Sequence, residues 1–600
     1  MALRAVPRQG IPRQRTPKAT SARLQPNLGD YVRVRRDFSW DAARTWLTGL
    51  PDGRGLNIAY EAVDRHASGQ RARQAALRSR DQHGQMTELT YEELRTSTNR
   101  FANLLTSLGV EAGQRIFSLL GRVPEAYLTA FGTLKAGGVY GALPVDLHSD
   151  AIRTRLALTD ARVLVTTPEL YKRLVAQVRD HLPELAHVLV VGDAEGDDTI
   201  DLHAALAGMD ESFVIPPTGE GDPALVCFTG GTTGPAKATL QPHEAAVAQH
   251  ATAAYALDLH AGDVVWCSAD CIESATMSYG IVAPLTHGGT VVADSVPFDV
   301  RRTYELLQQA RVSVWYTSPA VLRGLRHEGT DLAQTYDLST LRFIASVGEP
   351  LDPDLVLWGQ EALGRPVHDT WCQTETGTIT ISNFASMDIR PGSMGRPMPG
   401  VKVTLLARGR DGHPELVDGD VRELNDPNEV GEIAIRPGCP ALFRGYLGED
   451  EPTGIDDCMT AGWYLTGDLA RRDNDGYFWY AGRAADAIVT GDDGKPPVGA
   501  YDIERVLLDH PAVVEAAVVG AADPARGAAM TAYITLRPGQ SADDELCREV
   551  QEFAAARLGA LAPAEVVVEP SLPRTRSGSL LRRDLRGRTS DMSSKDLRHW

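Results

Sequence analysis

No apolar run in this chain approaches the length of a membrane span, which points away from the bilayer. Positive charge is scarce: 60 Lys and Arg stand against 79 Asp and Glu, a net charge of -19. That sign argues against nucleic acid as a partner, because binding it requires cations facing phosphates. Cysteine is sparse as well, with 7 in 600 residues and no CxxC pair. Cys267 and Cys271 have no further Cys or His at zinc-site distance, so the cysteines read as reduced thiols of a cytoplasmic protein. No internal repeat is present. Over the first 36 residues apolar periodicity is missing, and "MALRAVPRQGIPRQRTPKATSARLQ" contains no acidic residue. A basic, acid-poor start fits a mitochondrial presequence, but Pro7, Pro12 and Pro17 break the amphipathic helix such a segment needs. The expectation for 1–36 is a disordered basic arm.

What is present is the composition of an ordinary soluble enzyme, 43% hydrophobic and 23% charged. A chain of 600 residues exceeds one core, so two to four domains are expected. Order is expected from "DFSWDAARTWL" onward. In "TYEELRTSTNRFANLLTSLG", Thr90 and Glu93 form a capping box, Phe101, Leu104, Leu105 and Leu108 share a face, and Gly109 stops the helix. Short apolar runs ("ARVLVTT", "HVLVVGD", "PALVCFTGG", "VSVWYTSP", "LRFIASVGEP") alternate with helical patterns, which predicts a mostly parallel sheet with helices on both faces. Several of these runs end in Gly, Ser, Thr or Pro, where open α/β sheets bind ligands. From "YDIERVLLDHPAVV" a helix and two strands predict a small α+β domain, with the boundary near Arg483–Asp486.

The chemistry starts at "CFTGGTTGPAKAT", where Gly230, Gly231 and Gly234 surround Thr229, Thr232 and Thr233 ahead of Lys237. Glycines let backbone N–H groups approach an anion, hydroxyls add donors and the lysine adds a cation. The other reading is a glycine-rich turn without ligand. A Walker A loop fits poorly, since Lys237 lies between Ala236 and Ala238 rather than in Gly-Lys-Ser/Thr. Further on come "SVGEP", "DTWCQTETG", "GWYLTGDLARR" and "YAGRAAD". Each is weak alone. Together and in this order they resemble the ANL superfamily of adenylate-forming enzymes, from Phe38 to about Arg586. "GLNIAYEAVDRHA", "VWYTSPAVLR", "DTWCQTETG" and "PGSMGRPMPGV" resemble its acetyl-CoA and short- or medium-chain acyl-CoA synthetase branch.

The resemblance implies an ANL fold: a large N-terminal domain (37–483) of layered, helix-flanked, mostly parallel sheets, a small mobile α+β C-terminal domain (484–588) and a disordered tail (589–600). It implies a phosphate loop of Thr229, Thr232, Thr233 and Lys237. Gly348, Glu349 and Pro350 would line one side of adenine, with Trp371 stacked on the other. Thr374 would contact the α-phosphate and Glu375 would hold Mg²⁺, a hard cation suited to oxygen ligands. Asp468 would accept from the ribose hydroxyls, Arg483 would bridge ribose and phosphate, and Gly491 would lie on the strand walling the CoA tunnel. In this family acid and ATP first give acyl-AMP; the small domain then rotates and the CoA thiol displaces AMP.

Several positions depart from the family pattern. "LPRTRSGS" matches the final motif, in which a lysine follows Ser-Gly and relieves the repulsion between substrate carboxylate and α-phosphate. Here that residue is Ser579. Gly230 stands where serine is usual, Ala236 and Ala238 replace Pro and Gly, and Ala485 replaces the first hinge aspartate, leaving Asp486. "DDGKPPVG" lacks the usual Arg, with Lys495 nearby. The expectation is a ligase acting on preformed acyl-AMP, supplied by a separate adenylating enzyme, with CoA as acceptor. The alternatives are a complete ATP- and Mg²⁺-dependent synthetase, with Arg576 or Arg582 replacing the lysine, and a silent adenylate-binding protein.

Where the acetyl-specific branch closes its acyl pocket with tryptophan, this chain has Cys372, and the family's Gly-Trp pair is Ile272–Glu273. With Val347 these residues predict a pocket for a bulky carboxylic acid. Glu273 reads either as a polar contact to an oxygenated substrate or as a solvated loop carboxylate. The combination resembles acyl-CoA ligases of natural-product pathways, such as the platensimycin type.

Overall fold

The computed structural model describes residues 24–194, 198–229, 237–269, 275–409, 413–427, 429–447, 453–455, 459–488, 499–523, 527–537, 539–574, 580–586 and 588. Within them the expected mixed α/β architecture is found, built from two nine-stranded sheets, an antiparallel five-stranded sheet, a two-stranded hairpin and a separate three-stranded sheet.

The first large sheet pairs Arg115–Leu119, Val139–Ala142, Ala161–Thr166, His187–Val190 and Pro223–Phe228 in parallel. The second does the same with Ala75–Arg80, Val264–Cys267, Thr290–Asp294, Val314–Thr317, Phe343–Ser346 and Val367–Trp371. These strands are short, β-branched and buried, as strands covered on both faces must be. The helix Tyr91–Ser107 carries the predicted capping box, buries Phe101, Leu104 and Leu105, and is followed by Gly109 at φ 72°.

The expectation of a disordered arm through residue 36 is corrected for its last part. Asp30 caps a helix over Tyr31–Asp37, accepting from the Arg33 amide at 3.0 Å. Leu28 and Tyr31 are buried, and the Tyr31 hydroxyl donates to the Pro397 carbonyl at 2.8 Å. Two apolar anchors and one cap suffice to dock a segment whose composition otherwise reads as unstructured.

In the antiparallel sheet, Trp463–Arg472 is flanked by Val430–Ile435 and Phe478–Arg483. The three-stranded sheet Val513–Asp523, Gly527–Leu536 and Glu565–Val568 packs against the helices Ala500–Leu508 and Asp544–Leu558 around its own core. Arg505 reaches Asp352 at 2.6 Å and Arg471 reaches Asp502 at 2.8 Å, so Ala500–Leu508 is tied to residues on both sides of the candidate site.

Candidate functional site

Three parallel strands deliver the site from their carboxyl ends. Pro223–Phe228 leads to Thr229, Phe343–Ser346 to Gly348–Pro350, and Val367–Trp371 to Thr374 and Glu375. Asp468 and Arg483 face one another across an antiparallel pair of strands.

Asp468 lies at the centre of this arrangement. Its side chain is buried; Oδ2 accepts from the Trp371 indole N–H at 3.1 Å and from Gln373 Nε2 at 2.9 Å. Oδ1 lies 3.1 Å from Arg483 Nε but has no aligned hydrogen-bond donor. Burial pushes the Asp468 carboxyl up, against the pull of Arg483. The Arg483 guanidinium is held more basic than usual, chiefly by Asp468. Oδ1, held by the charge of Arg483 but not by an aligned hydrogen bond to it, is able to accept from a ligand hydroxyl.

Trp371 is itself 8% exposed and packs in the central core. Glu349 is clamped by Arg323 at 2.7 and 3.0 Å, which fixes the Gly348–Pro350 turn, where Gly348 takes φ 99°. Asp369, on the neighbouring strand, is buried, and burial pushes its carboxyl well up.

On the phosphate side, Thr229 and Lys237 bracket the loop between them, the Thr229 amide donating to the Lys237 carbonyl at 2.9 Å. Gln241 Nε2 donates to the Thr374 carbonyl at 3.0 Å. Glu375 Oε1 accepts from the Tyr446 hydroxyl at 2.8 Å. Lys237 Nζ sits 4.7 Å from the centre of the Tyr446 ring. Gly377, at φ 61°, lets the chain pass the Ala441 carbonyl, which a Cβ would meet at 2.2 Å. A lone carboxylate beside a hydroxyl-bearing turn suits Mg²⁺, whose other ligands would be phosphate oxygens and water. Among the described residues no cluster of three or more metal-ligating side chains competes with it.

Of the residues expected on the acyl side, Cys372 and Val347 are described and share one core. Cys372 is half-buried against the core that contains Val347, Tyr279 and Tyr316. Behind it, Tyr279 is locked by Thr252 and Thr378, each at 2.7 Å, and by the Ile379 amide at 2.5 Å; Tyr316 bonds Thr370 at 2.9 Å. These hydroxyls satisfy one another, so they form a rigid wall in which Cys372 is the small member. Thr232, Thr233, Ile272, Glu273, Gly491 and Ser579 lie outside the described residues, as do Arg576 and Lys495.

The chain from 63 to 447 matches the family model described as AMP-binding enzyme, and residues 502–579 match AMP-binding enzyme C-terminal domain. The chain belongs to the AMP-binding enzyme family, in the acyl-CoA synthetase branch of the ANL superfamily. The acetyl-coenzyme A synthetase of Bacillus subtilis (strain 168) is 37% identical to this synthetase over 575 residues, covering 95% of this chain and 97% of its own. That of Streptomyces coelicolor is 32% identical, over 88% of this chain and 83% of its own. Among solved structures, a Brucella canis acyl-CoA synthetase superposes with TM-score 0.71 at 30% identity, covering 94% of this chain and 100% of that one. An anthranilate CoA ligase in complex with anthranoyl-AMP shares the fold, with TM-score 0.77 at 24% identity, over 92% of this chain and 98% of its own.

Sequence reasoning missed Gln373 and Tyr446. Gln373 sits inside a motif already singled out, and its Nε2 also donates to the Thr466 carbonyl at 2.7 Å. Arg582, considered a replacement for the missing lysine, is engaged elsewhere in this structure. It forms a bidentate pair with Glu504 at 2.8 Å and lies 3.4 Å from Asp486.

Proposed function

We propose that this synthetase is specialised to the thioester-forming half-reaction, converting a bulky acyl-AMP and CoA to acyl-CoA and AMP. The observation that carries it is Ser579, a neutral residue where adenylation calls for a cation. The engagement of Arg582 with Glu504 and Asp486 supports the same reading, because it leaves that arginine's charge already neutralised. In the proposed step the CoA sulfur attacks the acyl carbon of the mixed anhydride, the thiol proton passing to solvent. The C–S bond forms, the C–O bond to phosphate breaks, and AMP departs.

Asp468 receives the ribose through Oδ1, and Arg483 spans ribose and phosphate. Trp371 and the Gly348–Pro350 turn bracket the adenine. Thr374 and Lys237 hold the phosphate. Mg²⁺, if ATP is used, would be held by Glu375 and would supply charge neutralisation at the phosphates. Cys372 leaves room for an acid larger than acetate, with Val347 and the Tyr279–Tyr316 wall behind it. The small domain is taken as 484–588, the chain to be cytoplasmic, and a separate enzyme to supply the adenylate. Among the described residues no helix is long and apolar enough to cross a membrane.

The complete two-step synthetase is the second reading, favoured by the 37% identity to an acetyl-coenzyme A synthetase. The test offers a panel of bulky carboxylic acids with ATP, Mg²⁺ and CoA, and in parallel the corresponding acyl-AMPs with CoA. Product from the acyl-AMPs alone is expected. Comparable product from acid and ATP overturns the half-reaction, and silence in both arms with tight acyl-AMP binding points to a binding protein.

A further inference from the structure

We propose that Tyr446 is a positioning residue that keeps Lys237 and Glu375 apart and aimed at the nucleotide phosphates. This rests on the phosphate site described above. A lysine and a glutamate flanking one anion site are prone to pair with each other, which would neutralise both before any ligand arrives. Among the described residues no ion pair joins Lys237 to Glu375. Tyr446 stands between them, its hydroxyl donating to Glu375 Oε1 at 2.8 Å and its ring facing Lys237 Nζ at 4.7 Å. One side chain thus satisfies the anion with a charge-assisted hydrogen bond and the cation with a π face.

The backbone around Tyr446 explains why it can hold both. Strand Gly445–Leu447 pairs with Ala238–Pro242, the strand that follows Lys237, with Tyr446 opposite Thr239. The Arg444 amide donates to the Leu240 carbonyl and the Phe443 amide to the Glu375 carbonyl, both at 2.9 Å. Residues 443–446 therefore clamp both phosphate-side elements, the exit of the loop and the Thr374–Glu375 turn. The Phe443 ring packs on Tyr446 at 4.9 Å and on Tyr464 at 5.6 Å, and the Tyr464 hydroxyl bonds Gln373 at 3.2 Å. The clamp thereby continues to the partner of Asp468.

The test measures binding rather than turnover. ATP with Mg²⁺, and AMP without it, are titrated by calorimetry into the full chain and its Tyr446→Phe and Tyr446→Leu variants. Removing the hydroxyl alone should weaken Mg²⁺-dependent ATP binding about tenfold and leave Mg²⁺-free AMP binding unchanged. Removing the ring as well lets Lys237 fall onto Glu375, and both affinities should drop, the first by about 10²-fold. Thermal unfolding of the isosteric Phe variant separates these effects from misfolding. The proposal is overturned if Tyr446→Phe binds Mg²⁺ and ATP like the unaltered chain, or loses AMP in the same proportion. If the unaltered chain binds neither nucleotide, the phosphate-site reading itself fails.

Discussion

At the scale of single residues, two side chains carry the proposed reading of this site. On the proposed reading Ser579 takes the adenylation-lysine position, where a hydroxyl cannot offset the repulsion between two anions. Ser579→Lys is therefore expected to raise acid-dependent ATP–pyrophosphate exchange by about 10²–10³, with little change in conversion of acyl-AMP. An unaltered exchange rate would mean that the lysine position is not what limits adenylation. Cys372 sets the second choice. It is small, and the groups behind it are locked through Thr252, Thr378 and Thr370, so added bulk has nowhere to go but into the acyl space. Cys372→Trp should shift kcat/KM from bulky acyl-AMPs towards acetyl-AMP by on the order of 10². An unchanged preference would place the acyl group elsewhere.

At the scale of elements, charges near Asp486 tie the C-terminal segment to the helix Ala500–Leu508. Glu504 is buried on the helix Ala500–Leu508, accepts from the Val518 amide at 2.8 Å, and meets Arg582 in a bidentate pair. Arg582 and Arg586 both hold Asp486, so the chain just past Ala485 is fastened to the C-terminal segment. Arg582→Ala strands Glu504 as a buried unpaired charge and should cost about 3 kcal/mol, read as an earlier unfolding transition. Arg582→Lys should recover only part, because an ammonium cannot grip both oxygens. If instead Arg582 serves adenylation, the Ala variant will lose ATP-dependent product and keep conversion of acyl-AMP.

The same scale marks how far the sequence could be read. The parallel strands were legible because Val- and Ile-rich runs buried on both faces leave a local pattern. The candidate nucleotide residues could be singled out because they sit in short contiguous motifs. The antiparallel sheet left less trace, its strands being interrupted by charged and turn-forming residues, as in "GWYLTGDLARR". Tyr446 was invisible for a different reason. Its role exists only when a strand some two hundred residues downstream of the phosphate loop pairs beside it. Leu28 and Tyr31 were hidden by the arginines and prolines around them, since composition averages over the few anchors that decide docking.

At the scale of the whole molecule, buried histidines tie stability to pH. His66 is pushed down to about 3, and His243, His287 and His368 each to about 4, in every case chiefly by burial. His250 is held well below its ordinary value for the same reason, and it stacks on His287 with ring centres 3.8 Å apart. The neighbouring Arg65 opposes protonation of His66, His250 and His287 further. An unfolded histidine takes up its proton near pH 6.5, whereas these stay neutral in the fold until about pH 4 or below. Between those values the unfolded chain binds more protons, so stability is full above about 6.5 and falls as the pH drops towards 4. Each such histidine contributes a slope of up to about 1.4 kcal/mol per pH unit. Asp369 and Asp468 work the other way: burial raises their pKa, so their penalty is relieved as the pH falls through their folded values. The difference between two chains isolates the histidine contribution. His287→Gln removes one titrating group while keeping a polar side chain that can still donate to the Ala283 carbonyl, which His287 Nδ1 meets at 2.8 Å. Unfolding free energies from urea titrations across the window from about pH 6.5 to 4 should fall less steeply for the variant, by up to about 1.4 kcal/mol per pH unit. Equal slopes would mean that His287 is already protonated in the folded protein, which its burial against His250 and Arg65 argues against.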